Sequence, residues 1–132
     1  KKHRIDDALS AVRSAQEEGI VPGGGIALLR AAKDLVVETK NDEQSLGVKI
    51  IFEAIEEPLR QMCLNAGESP DIIVEEAKNQ EFNWGYDFIR GEMINLIEFG
   101  IIDPAKVTRC ALQNAASVAA TLITTNHAIV CQ

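Results

Sequence analysis

Basic charge is in short supply here: 13 lysines and arginines stand against 20 aspartates and glutamates, a formal net charge of −7. A surface of that sign does not neutralise phosphates, so nucleic acid is not an expected partner. Aromatic residues make up only 5% of the chain. Alanine, leucine, isoleucine and valine carry the apolar content instead, which favours packed helices over a sandwich of strands. The three cysteines, Cys63, Cys110 and Cys131, are odd in number, far apart and never in a C-x-x-C pair. A disulfide framework or structural zinc site is therefore not expected, and a reducing compartment is. "KKHR" at the start leads into charged helix rather than an apolar signal core, and no apolar run approaches membrane-spanning length. No membrane partner is expected.

What is present is 132 residues with 46% hydrophobic content, enough for one buried core. Ile5, Leu9 and Val12 recur at helical spacing, with Gly19 as the stop. A second helix is expected from Ile26 through Leu35 and Val36, ending before the polar loop "TKNDEQ". Leu46, Ile50, Ile51, Ile55, Leu59, Met62 and Cys63 form a third stripe, which Pro58 should kink or split. Ser69 as N-cap with Pro70 at the first helical position opens a short helix to about Lys78. Phe82, Trp84, Tyr86 and Phe88 alternate with polar residues, the pattern of a β-hairpin. Asp103 and Pro104 open a last helix whose buried face runs from Val107 to Leu122, and "HAIVCQ" reads as a C-terminal strand. The expected fold class is mainly α, five or six helices with a minor β element. The chain opens inside a helical pattern and closes on a strand wanting a partner, so it reads as a piece of something longer.

Between the first two helices stand three consecutive glycines, Gly23, Gly24 and Gly25. A Walker loop would need a Lys-Ser or Lys-Thr after them, and a dinucleotide fingerprint a glycine where Leu28 stands, so both fail. A flexible turn and a backbone laid against a ligand both remain open. Asp7 reads as a solvated carboxylate favourable to a helix dipole or as a general base. Asp103 reads as an N-cap or a contact for a ligand hydroxyl. Trp84, Tyr86 and Phe88 read as strand packing more readily than as a stacking platform. His3 and His127 are far apart, so no metal site is expected.

Taken in order, "DDALSAVRSAQEEGIVPGGGIALLRA", "EEPLRQMCLNAGESP", "NWGYD" and "GIIDPAKVTRCALQNAASVAATLITT" resemble the C-terminal stretch of a group I chaperonin, the GroEL type. The resemblance implies the second half of a helical, ATP-binding equatorial domain over residues 1–132, with 1–18 the helix leading from an intermediate domain. It also implies a small β-hairpin and a C-terminal strand in that fold.

By the same resemblance Gly24 lies with its backbone against the nucleotide, and Asp103 holds the ribose hydroxyls. Asp87, Phe88 and Ile89 border the adenine, where a well-known bacterial pattern has Asn-Ala-Ala. Asp87 could still accept from the adenine amino group, and the bulkier Phe88 could fill the pocket. Asp7 matches the catalytic aspartate that orients the attacking water. ATP and Mg²⁺ are the implied cofactors, the metal ligands and a Gly-Asp-Gly-Thr-Thr phosphate loop coming from an N-terminal half, so this stretch alone is expected to be inactive. The implied partners are identical subunits in a double heptameric ring, a co-chaperonin and non-native proteins. A bacterial cytoplasm is expected, with the mitochondrial matrix as the alternative. The alternative function is an ATPase-dead helical interaction module.

Overall fold

Helix-forming periodicity dominates the chain, and the structure follows it. The computed structural model describes residues 1–131. The elements run α1 (Lys2–Glu18), β1 (Ile20–Pro22), α2 (Ala27–Ala32), α3 (Asp42–Ala54), α4 (Glu57–Ala66), α5 (Pro70–Lys78), β2 (Trp84–Asp87), β3 (Glu92–Asn95), β4 (Ile102–Pro104) and α6 (Ala105–Thr124). The result is a mainly α fold with short strands, as expected. Two compact units divide it, one made of Lys1–Gly19 with the chain from Pro104 onward, the other of Ile20–Asp103.

In the first unit α1 packs along α6. Lys106 pairs with Glu17, and Arg109 forks onto Glu18 with Nε to Oε1 at 2.8 Å and Nη2 to Oε2 at 2.9 Å. The Arg109 fork and the nearby cationic charge hold the Glu18 carboxyl below the ordinary glutamate range. Gly19, with φ of 84°, ends α1, and its N–H donates to Ala15 O at 2.8 Å. The amphipathic stripes of these two helices form, but neither helix contains a buried residue. Leu9 and Val12 of the first stripe, and Val118 and Leu122, expected on a buried face, are exposed. The strand expected in the tail does not form among the described residues: 125–131 lie outside any helix or strand. A strand exists through ladder bonds to a neighbour, and none is formed there; Gln132 lies outside the described residues.

The second unit holds the core. Ile26, Leu29, Leu59, Cys63, Ile73, Val74, Ala77, Ile94 and Leu96 are buried together, with Tyr86, Phe88, Met93 and Ile101 packed against them. Pro58 splits the third stripe into α3 and α4, because a proline is tolerated only in a first helical turn, where its missing N–H has no partner to lose. Ser69 flanks α5 with Pro70 in its first turn, and the helix ends at Lys78 as expected. The second helix is shorter than its pattern. It ends at Ala32, leaving Leu35 and Val36 exposed. β2 and β3 form an antiparallel hairpin, with Trp84 opposite Asn95 and Asp87 opposite Glu92. Phe88 falls in the turn and Phe82 outside the hairpin. β1 pairs with β4 in a separate two-stranded ribbon.

Candidate functional site

Each of the three glycines meets a different element of the second unit. Gly23 N donates to Ile101 O at 2.9 Å, and a Cβ there would lie 3.2 Å from the Ile101 backbone. Gly24 and Gly25 have φ of 65° and 72°, the left-handed region that costs an L side chain strain. A Cβ on Gly24 would face Tyr86 O at 3.6 Å, whereas one on Gly25 would press to 3.0 Å from Leu59 N in the first turn of α4. The loop is thus clamped between the hairpin, α4 and the segment entering β4. Packing against these neighbours, as well as backbone conformation, accounts for glycine at 23 and 25.

The glycine loop contacts chain segments that carry two of the expected site residues. Gly24 lies beside the hairpin strand that ends in Asp87, and the Gly23 bond to Ile101 sits two residues from Asp103. Asp7 stands on α1 in the other unit, where it is exposed.

The hairpin turn gives Asp87 local partners. Asp87 is buried, 6% exposed. Its Oδ1 accepts from Ile89 N at 2.8 Å and from Arg90 N at 3.3 Å, an aspartate turn closed on its own backbone. Its Oδ2 faces Arg90 Nε at 3.5 Å. The carboxylate expected to face a base is therefore bound to its own loop. Phe88 turns inward, its ring edge-on to Tyr86 with centroids 5.0 Å apart. It packs on the core instead of standing at the tip. Ile89 is the residue at the tip, 96% exposed. Arg90 is steadied over the Phe99 ring at 4.2 Å.

Asp103 also departs from its expected local role. It lies in β4, and Pro104, with ψ of 128°, flanks α6 in its place without a side-chain cap. Pairing with β1 holds the backbone extended there, so the helix starts one residue later. The Asp103 side chain is left out of the helix cap. Partial desolvation pushes its carboxyl above the ordinary aspartate range, although the residue as a whole is exposed.

Sequence reasoning missed Arg30, which is buried and donates from Nη2 to Trp84 O at 2.9 Å. Its signal was its place four residues after Ile26, on the apolar face of α2. Among the described residues no group of three or more His, Cys, Asp or Glu side chains could hold a metal.

The model of the TCP-1/cpn60 chaperonin family matches residues 1–132. Among solved structures, a group III chaperonin in the open state is similar, with 31% sequence identity and a TM-score of 0.72. The match covers 88% of this chain and 25% of that one, so this chain spans about a quarter of that structure's length.

Proposed function

The chain belongs to the TCP-1/cpn60 chaperonin family, and from that premise we propose that it forms one wall of the ATP site in a ring chaperonin of the group I type. The intact protein would use ATP binding and hydrolysis to encapsulate non-native polypeptides and release them for folding. Its partners would be identical subunits in a double heptamer and a co-chaperonin, and its compartment the bacterial cytoplasm. The observation that supports the reading is the glycine loop, which packs against Tyr86 of the strand ending in Asp87 and bonds Ile101, two residues before Asp103.

Each expected residue has a role to play toward a nucleotide in this reading. Gly24 would present its backbone to the nucleotide, as the family resemblance implies. Asp103, free of any capping duty, offers two carboxylate oxygens to accept from vicinal hydroxyls such as those of a ribose. The base would meet the turn backbone and the Ile89 side chain, since Asp87 Oδ1 is taken up by Ile89 and Arg90. Asp7 would orient a water and receive its proton, a positioning role of the kind that dominates phosphoryl transfer. Bound Mg²⁺ would neutralise phosphate charge, and no ligand for it is assigned to these residues.

The inward packing of Phe88 supports this reading over an ATPase-dead scaffold, because the ring that could have filled a pocket is held on Tyr86 and the core. The test is nucleotide binding by the full-length protein. Asp103→Ala is expected to weaken ATP about tenfold, the loss of a charged hydrogen-bond acceptor. GTP should weaken equally, because the ribose is common to both. Unchanged affinity for both nucleotides would remove Asp103 from the site.

A further inference from the structure

On the second unit, a cavity of about 310 Å³ opens beside α2. Neither Gly24, Asp87, Ile89 nor Asp103 lines it, so its chemistry is independent of the nucleotide reading. Arg30, Lys33, Glu56 and Lys78 supply its charged wall, and Phe52 and Ile55 part of its apolar one. The single acid is already taken: Glu56 is bound by Lys78 and by Arg60, the latter at 3.2 Å.

The arginine is the unbalanced element. Only 6% of Arg30 is exposed, and Trp84 O is the one hydrogen-bond partner of its side chain among the described residues. Its Nε is fully enclosed without an acceptor. No ion pair forms at Arg30 or at Lys33 among the described residues. A buried guanidinium with no counter-ion is costly, and arginine cannot relieve the cost by losing its proton. Three cations therefore face one occupied carboxylate across a partly apolar cavity.

We propose that this cavity is a carboxylate-binding site, with Arg30 as the principal anion partner, Lys33 as the free second cation, and the Phe52 and Ile55 wall receiving a short aliphatic stem. A planar guanidinium matches a carboxylate in shape and charge. Glu56 at the same wall disfavours a doubly charged phosphate more than a singly charged carboxylate group. An aspartate or glutamate side chain from elsewhere in the intact protein and a small free organic acid present the same chemistry.

The test uses the full-length protein in two arms. In the first, a carbodiimide couples Lys33 to any carboxylate seated beside it, and peptide mapping identifies the partner. Coupling to an acid outside residues 20–103, reduced about tenfold in Arg30→Lys, would show a side-chain occupant. In the second arm, glutarate is titrated at constant ionic strength against the thermal midpoint. A rise in the unmodified protein, with apparent affinity weakened roughly threefold in the exposed variant Lys33→Gln, would show a free acid. This second variant keeps the test decisive should the Arg30 variant fail to fold. The proposal is overturned if the unmodified protein gives neither the coupling nor the glutarate response, or if the response it does give is unchanged in the matching variant.

Discussion

At Asp87 a carboxylate that could have faced a ligand is taken up by the N–H groups of Ile89 and Arg90. Asp87→Ala should remove that acceptor from a buried turn and lower stability by about 1 to 2 kcal/mol. Asp87→Asn keeps Oδ1 and should lose less, a difference readable as two separate urea midpoints. Equal losses would mean that the turn bonds contribute nothing. Gly24→Ala should cost about 1 kcal/mol through its positive φ and should weaken nucleotide binding as well. The glycine run was visible in the sequence as a need for backbone freedom, but which neighbours impose it was not. Ile101, Tyr86 and Leu59 are 34 to 78 residues away along the chain, and only folding brings them to the loop. Asp87 was likewise legible as a candidate but not in its bonding, because an aspartate turn and a ligand contact use the same residue type.

Among the elements, those with strong local punctuation were the most legible. Pro58 and Pro70 mark the starts of α4 and α5, and Gly67 closes α4 in the left-handed conformation. The start of α3 carried a signal that went unread in the loop "TKNDEQ". Asn41 Oδ1 accepts from Gln44 N at 2.8 Å, and Gln44 Oε1 accepts from Lys40 N at 2.9 Å, a reciprocal cap of the N-x-x-Q kind. The start of α6 was misread because strand pairing at β4 overrode the capping preference of Asp103. Between α4 and α5, Glu56 is shared by Lys78 and Arg60, and Arg60 reaches Asp71 at 2.6 Å. Burial alone would push the Glu56 carboxyl up, but the two cations outweigh it and hold it below its ordinary value of 4.5. Its contribution to stability is therefore full above that value and is lost as pH falls beneath it. Between about pH 5 and pH 3 the unmodified protein should lose more stability than Glu56→Gln. Parallel acid-unfolding curves for the two would contradict this assignment.

Across the whole molecule, the core of the second unit is closed, whereas α1 and α6 of the first unit keep their apolar stripes in solvent. Periodicity announces that a face wants burial, but it does not say whether the same stretch of chain supplies the cover. Large apolar side chains such as Ile5, Val118, Leu122 and Ile123 are exposed, so the 132-residue chain on its own should self-associate. Sedimentation velocity would show this as a concentration-dependent rise in mass, and a monomer at every concentration would contradict it. In the function proposed above, catalysis falls to Asp7, which family resemblance singles out and which stands exposed on α1. The most direct test is steady-state ATP hydrolysis by the full-length protein and its Asp7→Ala variant, with nucleotide affinity measured for both. The expected result is a fall in turnover of about a hundredfold or more with binding retained. Full turnover in the variant would remove Asp7 from catalysis, and no ATP binding or hydrolysis by the unmodified protein would contradict the ATP-driven chaperonin reading.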